Sequence, residues 1–315
     1  MDTHQHLSAF KRGERQSEFA TSLLDRGYAL VQSGYSRGGI AVDESVHDSN
    51  ELRRYFRNKY PQTEAVYVLG ESMGGLIALR LVEQFPRAYT AGLSFCGMLS
   101  TPYNYVRRVF DLLTLFAYFH TDMLPAPAAV PSDFRPTEDR IRSVARALEA
   151  DPDGTAVLRS ESGANDIPEL AAILVFHTDL LRDVRAKCGG NPIGNAGTLY
   201  VVGADLEKVN AGVARVSAAP GVAACLKKIG GPQATLARPF LAVDASRDPV
   251  VPGWFANAYQ DRLAGSPSEA WFVRQYLGAK GHCSISLGAR VEVFQELVQW
   301  SKDQLSKPRP GLRLR

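Results

Sequence analysis

Val66-Tyr67-Val68-Leu69-Gly70-Glu71-Ser72-Met73-Gly74-Gly75-Leu76-Ile77-Ala78-Leu79 is the stretch from which the fold is read. The apolar, β-branched run from Ala65 to Leu69 reads as a buried strand, and Leu76, Leu79 and Val82 follow at helical spacing. Between them lies Gly70-x-Ser72-x-Gly74, the pattern of a sharp strand-to-helix turn that lifts a nucleophilic serine above the end of a sheet. Turning at once from strand to helix forces the serine into strained backbone geometry. Glycines two residues to either side are expected because a Cβ there would collide with the adjoining strand and helix. Ser72 then stands at a helix N-terminus, whose free N–H groups favour a developing oxyanion. A Ser/Gly turn with no chemistry shares the bare pattern, so the reading turns on whether an acid and a histidine follow in order.

They do. Asp248, in Arg247-Asp248-Pro249-Val250-Val251-Pro252, and His282, in Gly281-His282-Cys283, each lie just past a strand-like run. The C-terminal ends of parallel strands are where such a sheet exposes its reactive groups. The order Ser72, Asp248, His282 is that of a hydrolase triad. His282 would take the Ser72 proton and return it to the leaving group, and Asp248 would hold the imidazole in the right tautomer. Asp244 is the rival acid, but it falls inside or at the end of its strand. Of the six histidines only His282 has the strand-then-glycine setting. The oxyanion hole needs two N–H donors. Met73 supplies one from its backbone; the other normally comes from the loop after the third strand. Only Thr3 to Gly13 stands in that place, so the second donor is unassigned.

Along the chain, residues 1–13 read as loop, and a helix from Glu14 to Arg26 stops at Gly27. A strand, Tyr28 to Gln32, runs into the glycine-rich turn Ser33–Gly39, and a helix spans Asp43 to Lys59. After the elbow helix comes a strand, Ala91 to Phe95. Strands alternating with helices predict an α/β class with a mostly parallel sheet flanked by helices. The alternation breaks between Gly97 and about Thr235, where helical stretches (Tyr103–Phe119, Thr137–Leu148, Ile167–Lys187) surround proline-rich links. The expected division is therefore core over 1–98, a helical cap or lid over 99–235, and core again over 236–315. A second structural domain is the plainer account of the middle part. As a cap it would supply an apolar substrate pocket, with Tyr35, Phe116 and Phe119 as candidate lining. His120 and His177 receive no role. Strands resume at Pro239–Val243 and Trp271–Leu277, and a final amphipathic helix uses Val291 to Trp300. The tail Arg313-Leu314-Arg315 reads as a solvated end.

Composition bounds the partners. At 315 residues with 45% apolar and 22% charged side chains, the chain has the make-up of a globular protein. A net charge of +3, evenly spread, argues against nucleic acid. No run of about 18 apolar residues suggests a membrane span, and Met1-Asp2-Thr3-His4-Gln5-His6 has no signal-peptide character, so the chain as written reads as cytoplasmic. Cys96, Cys188, Cys225 and Cys283 form no C-x-x-C pair and read as buried small apolar residues, with two disulfides the alternative outside the cytosol. No metal or cofactor is called for. The expected partner is a small-molecule ester, with homo-oligomerisation left open.

On Arg26–Leu30, Gly39–Glu44, Gly70–Leu76, Cys96–Leu99, Gly190–Pro192, Arg247–Pro252 and Gly281–Cys283, the chain resembles the α/β-hydrolase superfamily, and more narrowly bacterial serine hydrolases of carboxylesterase type. The resemblance implies the triad Ser72, Asp248 and His282, hydrolysis of carboxylic esters through an acyl-enzyme, and a cap after the sixth strand of the family's order. A peptidase or amidase of the same fold, or a catalytically impaired binding protein, are the competing readings. The first strands of that fold, and its His-Gly oxyanion segment, have no counterpart here. With Tyr28–Gln32 as the fourth strand and Ala65–Leu69 as the fifth, a slot is left where the third belongs. Tyr28–Gln32 could shift against Ala65–Leu69, a partner could fill the slot, or the reading frame could begin too late; the last is the favoured expectation, which would allow a secreted or periplasmic protein.

Overall fold

Among the residues that the computed structural model describes, 17–203 and 205–313, five parallel strands lie side by side in sequence order. They are β1 (Tyr67–Glu71), β2 (Ala91–Phe95), β3 (Phe240–Arg247), β4 (Phe272–Lys280) and β5 (Gly311–Arg313). Parallel neighbours need long crossovers and bury both faces, which is why β2 is buried throughout and β3 over its first six residues. On one face, Leu93, Phe95, Leu241, Val243 and Val273 form a core with Val293, Phe294, Leu297 and Trp300 of α11 (Leu287–Lys302). Leu23 of α1 (Glu18–Leu24) joins them. On the other face α3 (Met73–Gln84) packs on β1 and β2, with α2 (Val42–Lys59) against it. There a Cβ on Gly92 would press on Val82 and Phe240, so the strand is bare where the helix lies closest.

The chain falls into two units: the residues up to Ser100 together with those from Gly230 onward, and Thr101–Ile229. The second is helical, with α4 (Pro102–Phe119), α5 (Glu138–Ala150), α6 (Pro152–Ser162), α7 (Ile167–Cys188), α8 (Leu206–Gly212) and α9 (Cys225–Lys228). Its starts are encoded locally: Thr101, Thr137, Asp151 and Asp166 each accept a first-turn N–H, three of them followed by proline at the first or second helical position. Val106, Phe110, Leu148, Leu158, Leu170 and Leu174 are buried within it. A disulfide ties Cys188, at the end of α7, to Cys225, at the start of α9. On re-entering the first unit, the chain is fastened to α3 by the buried Glu83, which accepts the N–H groups of Gln233 (2.8 Å) and Ala234 (2.6 Å) and the hydroxyl of Tyr259 (2.9 Å) on α10 (Trp254–Leu263).

Two expectations need correction. Tyr28–Gln32 has no regular structure and pairs with no strand among the described residues: Leu30 is 38% and Val31 51% exposed, so the run is not buried as a central strand must be. Tyr28 instead turns edge-on to Tyr67 and Phe294. The run therefore does not close on the elbow strand, and β1 is an edge among the described residues. Of the C-terminal tail, Arg313 is not simply solvated, while Leu314 and Arg315 lie outside the described residues. Gly311 (φ 104°) turns the chain into β5, and Arg313 is drawn in by Glu292 and Glu296, one turn apart on α11, and by Gln275. Helix α6 has no counterpart among the helices expected: Asp151 closes α5 and caps α6, with Pro152 at its first position. Thr3–Gly13, offered in place of the oxyanion segment, lies outside the described residues.

Candidate active site

The strand–turn–helix at Ser72 is built as its residues dictate. Ser72 has φ 55° and ψ −122°, a region that costs a non-glycine residue about 1–3 kcal/mol. Three backbone bonds hold it there. Its N–H donates to the Phe95 carbonyl (3.1 Å), and its own carbonyl accepts from Gly75 and Met98 (3.0 Å each). Met73 opens α3, so its N–H is among the first-turn donors that have no intrahelical partner.

A Cβ on Gly70 would collide with the Gly74 carbonyl and come within 2.8 Å of the Gly75 nitrogen, as expected of the first glycine. For Gly74 the expectation fails: a Cβ there would meet nothing within 4 Å. The crowded partner is Gly75, whose Cβ would strike Ser94 Oγ and sit 2.7 Å from the Gly97 Cα. Gly70→Ala and Gly75→Ala should therefore each cost about 1–3 kcal/mol of stability through overpacking. Gly74→Ala should be neutral or gain about 0.5–1 kcal/mol from its helical position. Urea midpoints of the three variants check this; a Gly74→Ala loss equal to the other two would defeat it.

Asp248 and His282 are brought together by the sheet. The ends of β3 and β4 pair, Arg247 beside Lys280, so the two loops that follow emerge side by side. The Gly281 N–H donates to the Arg247 carbonyl (2.8 Å), with Gly281 at φ 101°. His282 Nδ1 lies 2.8 and 3.0 Å from the two Asp248 oxygens. The carboxylate also accepts the N–H groups of Val250 (2.9 Å) and Val251 (2.8 Å), an Asx turn that uses the Asp-Pro-Val-Val sequence itself. Asp248 is buried, while the His282 side chain keeps 27% exposure. Asp244 has another occupation: it is buried in β3 and paired with Arg274 at 2.7 Å. Burial pushes the Asp244 carboxyl up and the Arg274 guanidinium pulls it back, the first effect being larger.

The backbone that holds Ser72 lies near this pair. The Phe95 carbonyl that takes its N–H is 3.9 Å from Cys283 Sγ, and that sulfur is 3.8 Å from His282 Nε2. The cysteines are not the free buried residues of the default reading but the two disulfides of its alternative, and two further links reach this site. Cys283 is disulfide-bonded to Cys96, the residue after Phe95. Arg290 of α11 pairs with Glu71, donates to the Cys283 carbonyl (3.1 Å) and the Ile285 carbonyl (3.0 Å), and lies over the Phe95 ring. Nothing local marks Arg290; it is one arginine among many on an amphipathic helix. Cys96, His282 and Cys283 are the one metal-competent group found among the described residues, with ligand atoms within 4.8 Å of one another. Both sulfurs are spent on each other, so neither offers a thiolate to an ion.

The remaining candidates are placed as follows. Tyr35 is half-buried in the turn after Gln32 at φ 47°, its hydroxyl bonded to Ser49 and its pKa pushed up mainly by burial. Phe116 is 1% exposed and stacked on His120, the setting of a core aromatic in the helical unit. Phe119 is half-buried, edge-on to Tyr118 and against Gly154. His120 is buried near Asp151, and burial lowers its pKa more than that carboxylate raises it. His177 packs beside Tyr105 and Phe176.

A family model described as serine aminopeptidase, S33, matches residues 14–164, the part that holds the elbow. No curated protein sequence matches the chain. Solved structures similar to it include a monoacylglycerol lipase from Paleococcus ferrophilus (TM-score 0.39, 10% identity, covering 91% of this chain and 88% of that one). An esterase from Exiguobacterium antarcticum is similar at TM-score 0.38 and 15% identity, covering 90% and 85%. Lipase A from Candida antarctica stands at 0.41 and 14%, covering 86% and 56%.

Proposed function

We propose, of a chain that is a serine hydrolase of the α/β-hydrolase superfamily, that it cleaves carboxylic esters through an acyl-enzyme on Ser72. His282 Nε2 takes the Ser72 proton as the hydroxyl attacks, and Asp248 holds Nδ1 and steadies the imidazolium. The Met73 N–H faces the oxyanion. His282 then protonates the departing alkoxide and activates the water that frees the acid. The observation that carries this reading is the contact of His282 with a buried, doubly backbone-bonded Asp248, on the loop joined to the segment that grips Ser72. Met73 and Ser72 stand at the start of α3, where the helix favours negative charge.

The family description favours a second reading, a peptidase or amidase. The two differ in what they ask of the base. An alkoxide leaves the tetrahedral intermediate readily, whereas an amine must be protonated before it can go, so amide cleavage needs a more tightly held imidazolium. The test is turnover of p-nitrophenyl acyl esters against peptide anilides, with fluorophosphonate labelling of Ser72 checked on a separate sample of the folded protein. Ester turnover at least about 100-fold faster, worth two tenfold steps in barrier, is expected; anilides at equal or greater rate would transfer the assignment to the peptidase reading. As a cap, the helical unit would line the acyl site. Phe119→Ala should then shift the chain-length preference, while the core residue Phe116 should mainly lower stability when cut to alanine.

A further inference from the structure

We propose that the Cys96–Cys283 disulfide positions the catalytic base, and that its reduction by a dithiol turns hydrolysis down; this rests on the reading of Ser72, His282 and Asp248 above. The bond joins the two halves of the site. Cys96 belongs to the segment Phe95–Met98 that clasps Ser72, taking its N–H at Phe95 and giving an N–H from Met98 to its carbonyl. Cys283 is the residue after His282, and its own N–H approaches Asp248 Oδ2 at 3.4 Å. The half-cystines are 187 positions apart in sequence, with Cα atoms 5.3 Å apart. Both sit at positive φ, 46° and 55°, a conformation that non-glycine residues keep only where their surroundings impose it. Arg290 runs parallel as a non-covalent tie from Glu71 to the Cys283 carbonyl, so breaking the disulfide loosens the His282 loop without freeing it altogether.

Cys96 is fully buried and Cys283 half-buried, so an incoming thiolate meets the Cys283 sulfur. A dithiol attacks there, the S–S bond breaks to leave the Cys96 thiolate and a mixed disulfide, and the second thiol resolves it. The protein gains two electrons and two protons as two thiols; the reagent leaves as its own cyclic disulfide. Two things then change at His282. Its loop loses the covalent link to the residues that hold Ser72. A Cys283 thiol also stands 3.8 Å from Nε2, offering a competing hydrogen to the nitrogen that must receive the Ser72 proton. Small misplacements of such a pair are expensive, about 100-fold for 1 Å.

The Cys188–Cys225 disulfide provides the control, since it closes α7 onto α9 inside the helical unit. In Cys188→Ser/Cys225→Ser protein only the active-site disulfide can respond. Treating it with dithiothreitol, with EDTA present to keep thiophilic ions off the released sulfurs, should lower kcat on a p-nitrophenyl ester by about 10- to 100-fold. KM should hold, tryptophan fluorescence should stay native, and oxidised glutathione should restore the rate. The Cys96→Ser/Cys283→Ser variant should show the same low kcat and slow fluorophosphonate labelling of Ser72, and should ignore both reagents. An unchanged kcat after confirmed reduction, whatever happens to the melting temperature, would make the bond a stabilising cross-link alone and overturn the proposal. Failure of the oxidised wild-type protein to label or turn over would instead defeat the triad reading, and this proposal with it.

Discussion

Ser72→Ala and His282→Ala should each lower kcat by about 10⁴- to 10⁶-fold, and the double variant should fall hardly further, because the members of such a triad act as one unit. Stability should scarcely move in either. The anchoring bonds of Ser72 are made by its backbone, to Phe95, Gly75 and Met98, and alanine keeps all three. Removing the imidazole leaves the buried Asp248 still bonded to the N–H groups of Val250 and Val251, so no uncompensated carboxylate is created. Asp248→Asn should be severe but milder, about 10⁴-fold. Asparagine can still accept from Val250 and Val251, but its amide then faces Nδ1 with a donor and holds the ring in the wrong tautomer. Single-turnover release of p-nitrophenol, followed beside urea denaturation of the same preparations, separates chemistry from folding. Undiminished turnover by folded Ser72→Ala would remove the nucleophile assignment.

What was legible in advance was local. Gly-x-Ser-x-Gly after an apolar run, Asp-Pro-Val-Val after a strand, and Gly-His after another are each short enough for the chain to specify their geometry by itself. The Asx turn at Asp248 shows this: the residues that satisfy the carboxylate are two and three positions away. Where the deciding contact lies far off in sequence, the local pattern does not determine the structure. Gly74 and Gly75 look alike in sequence, and only the packing of Ser94 and Gly97 against the second tells which of them must lack a side chain. Tyr28–Gln32 has a strand's composition, but strands exist by their neighbours, and this one has none among the described residues. Arg313 carries no sign in the sequence of the two carboxylates on α11 that seat it. Nor could four scattered cysteines announce that one pair would bracket the base.

Arg274→Ala should be the most damaging single change to the fold of the first unit. Arg274 and Asp244 are diagonal neighbours on adjacent strands, their side chains 6% and 4% exposed, with Nε 2.7 Å from Oδ2. The guanidinium also donates to the Gly253 carbonyl (2.7 Å) and to Asn257, and lies over the Tyr276 ring. Cutting it away leaves a carboxylate buried without its partner and two further acceptors without their donor. Loss of one member of a buried pair costs about 3–5 kcal/mol, to be read as a lower urea midpoint at constant slope. Asp244→Asn should cost less. The cation it leaves keeps Gly253, Asn257 and the Tyr276 ring, and an amide oxygen can still accept from Nε. Replacing both residues, Asp244→Leu with Arg274→Met, should recover most of the loss, since a well-packed apolar pair can equal a buried ionic one. The same variants decide between the two acids. Asp244→Asn should retain kcat within a few-fold when folded, because its carboxylate is engaged by Arg274 and not by His282. Were it instead to abolish turnover in a folded protein while Asp248→Asn spared it, the acid of the site would be Asp244 and the loop contact of Asp248 merely structural.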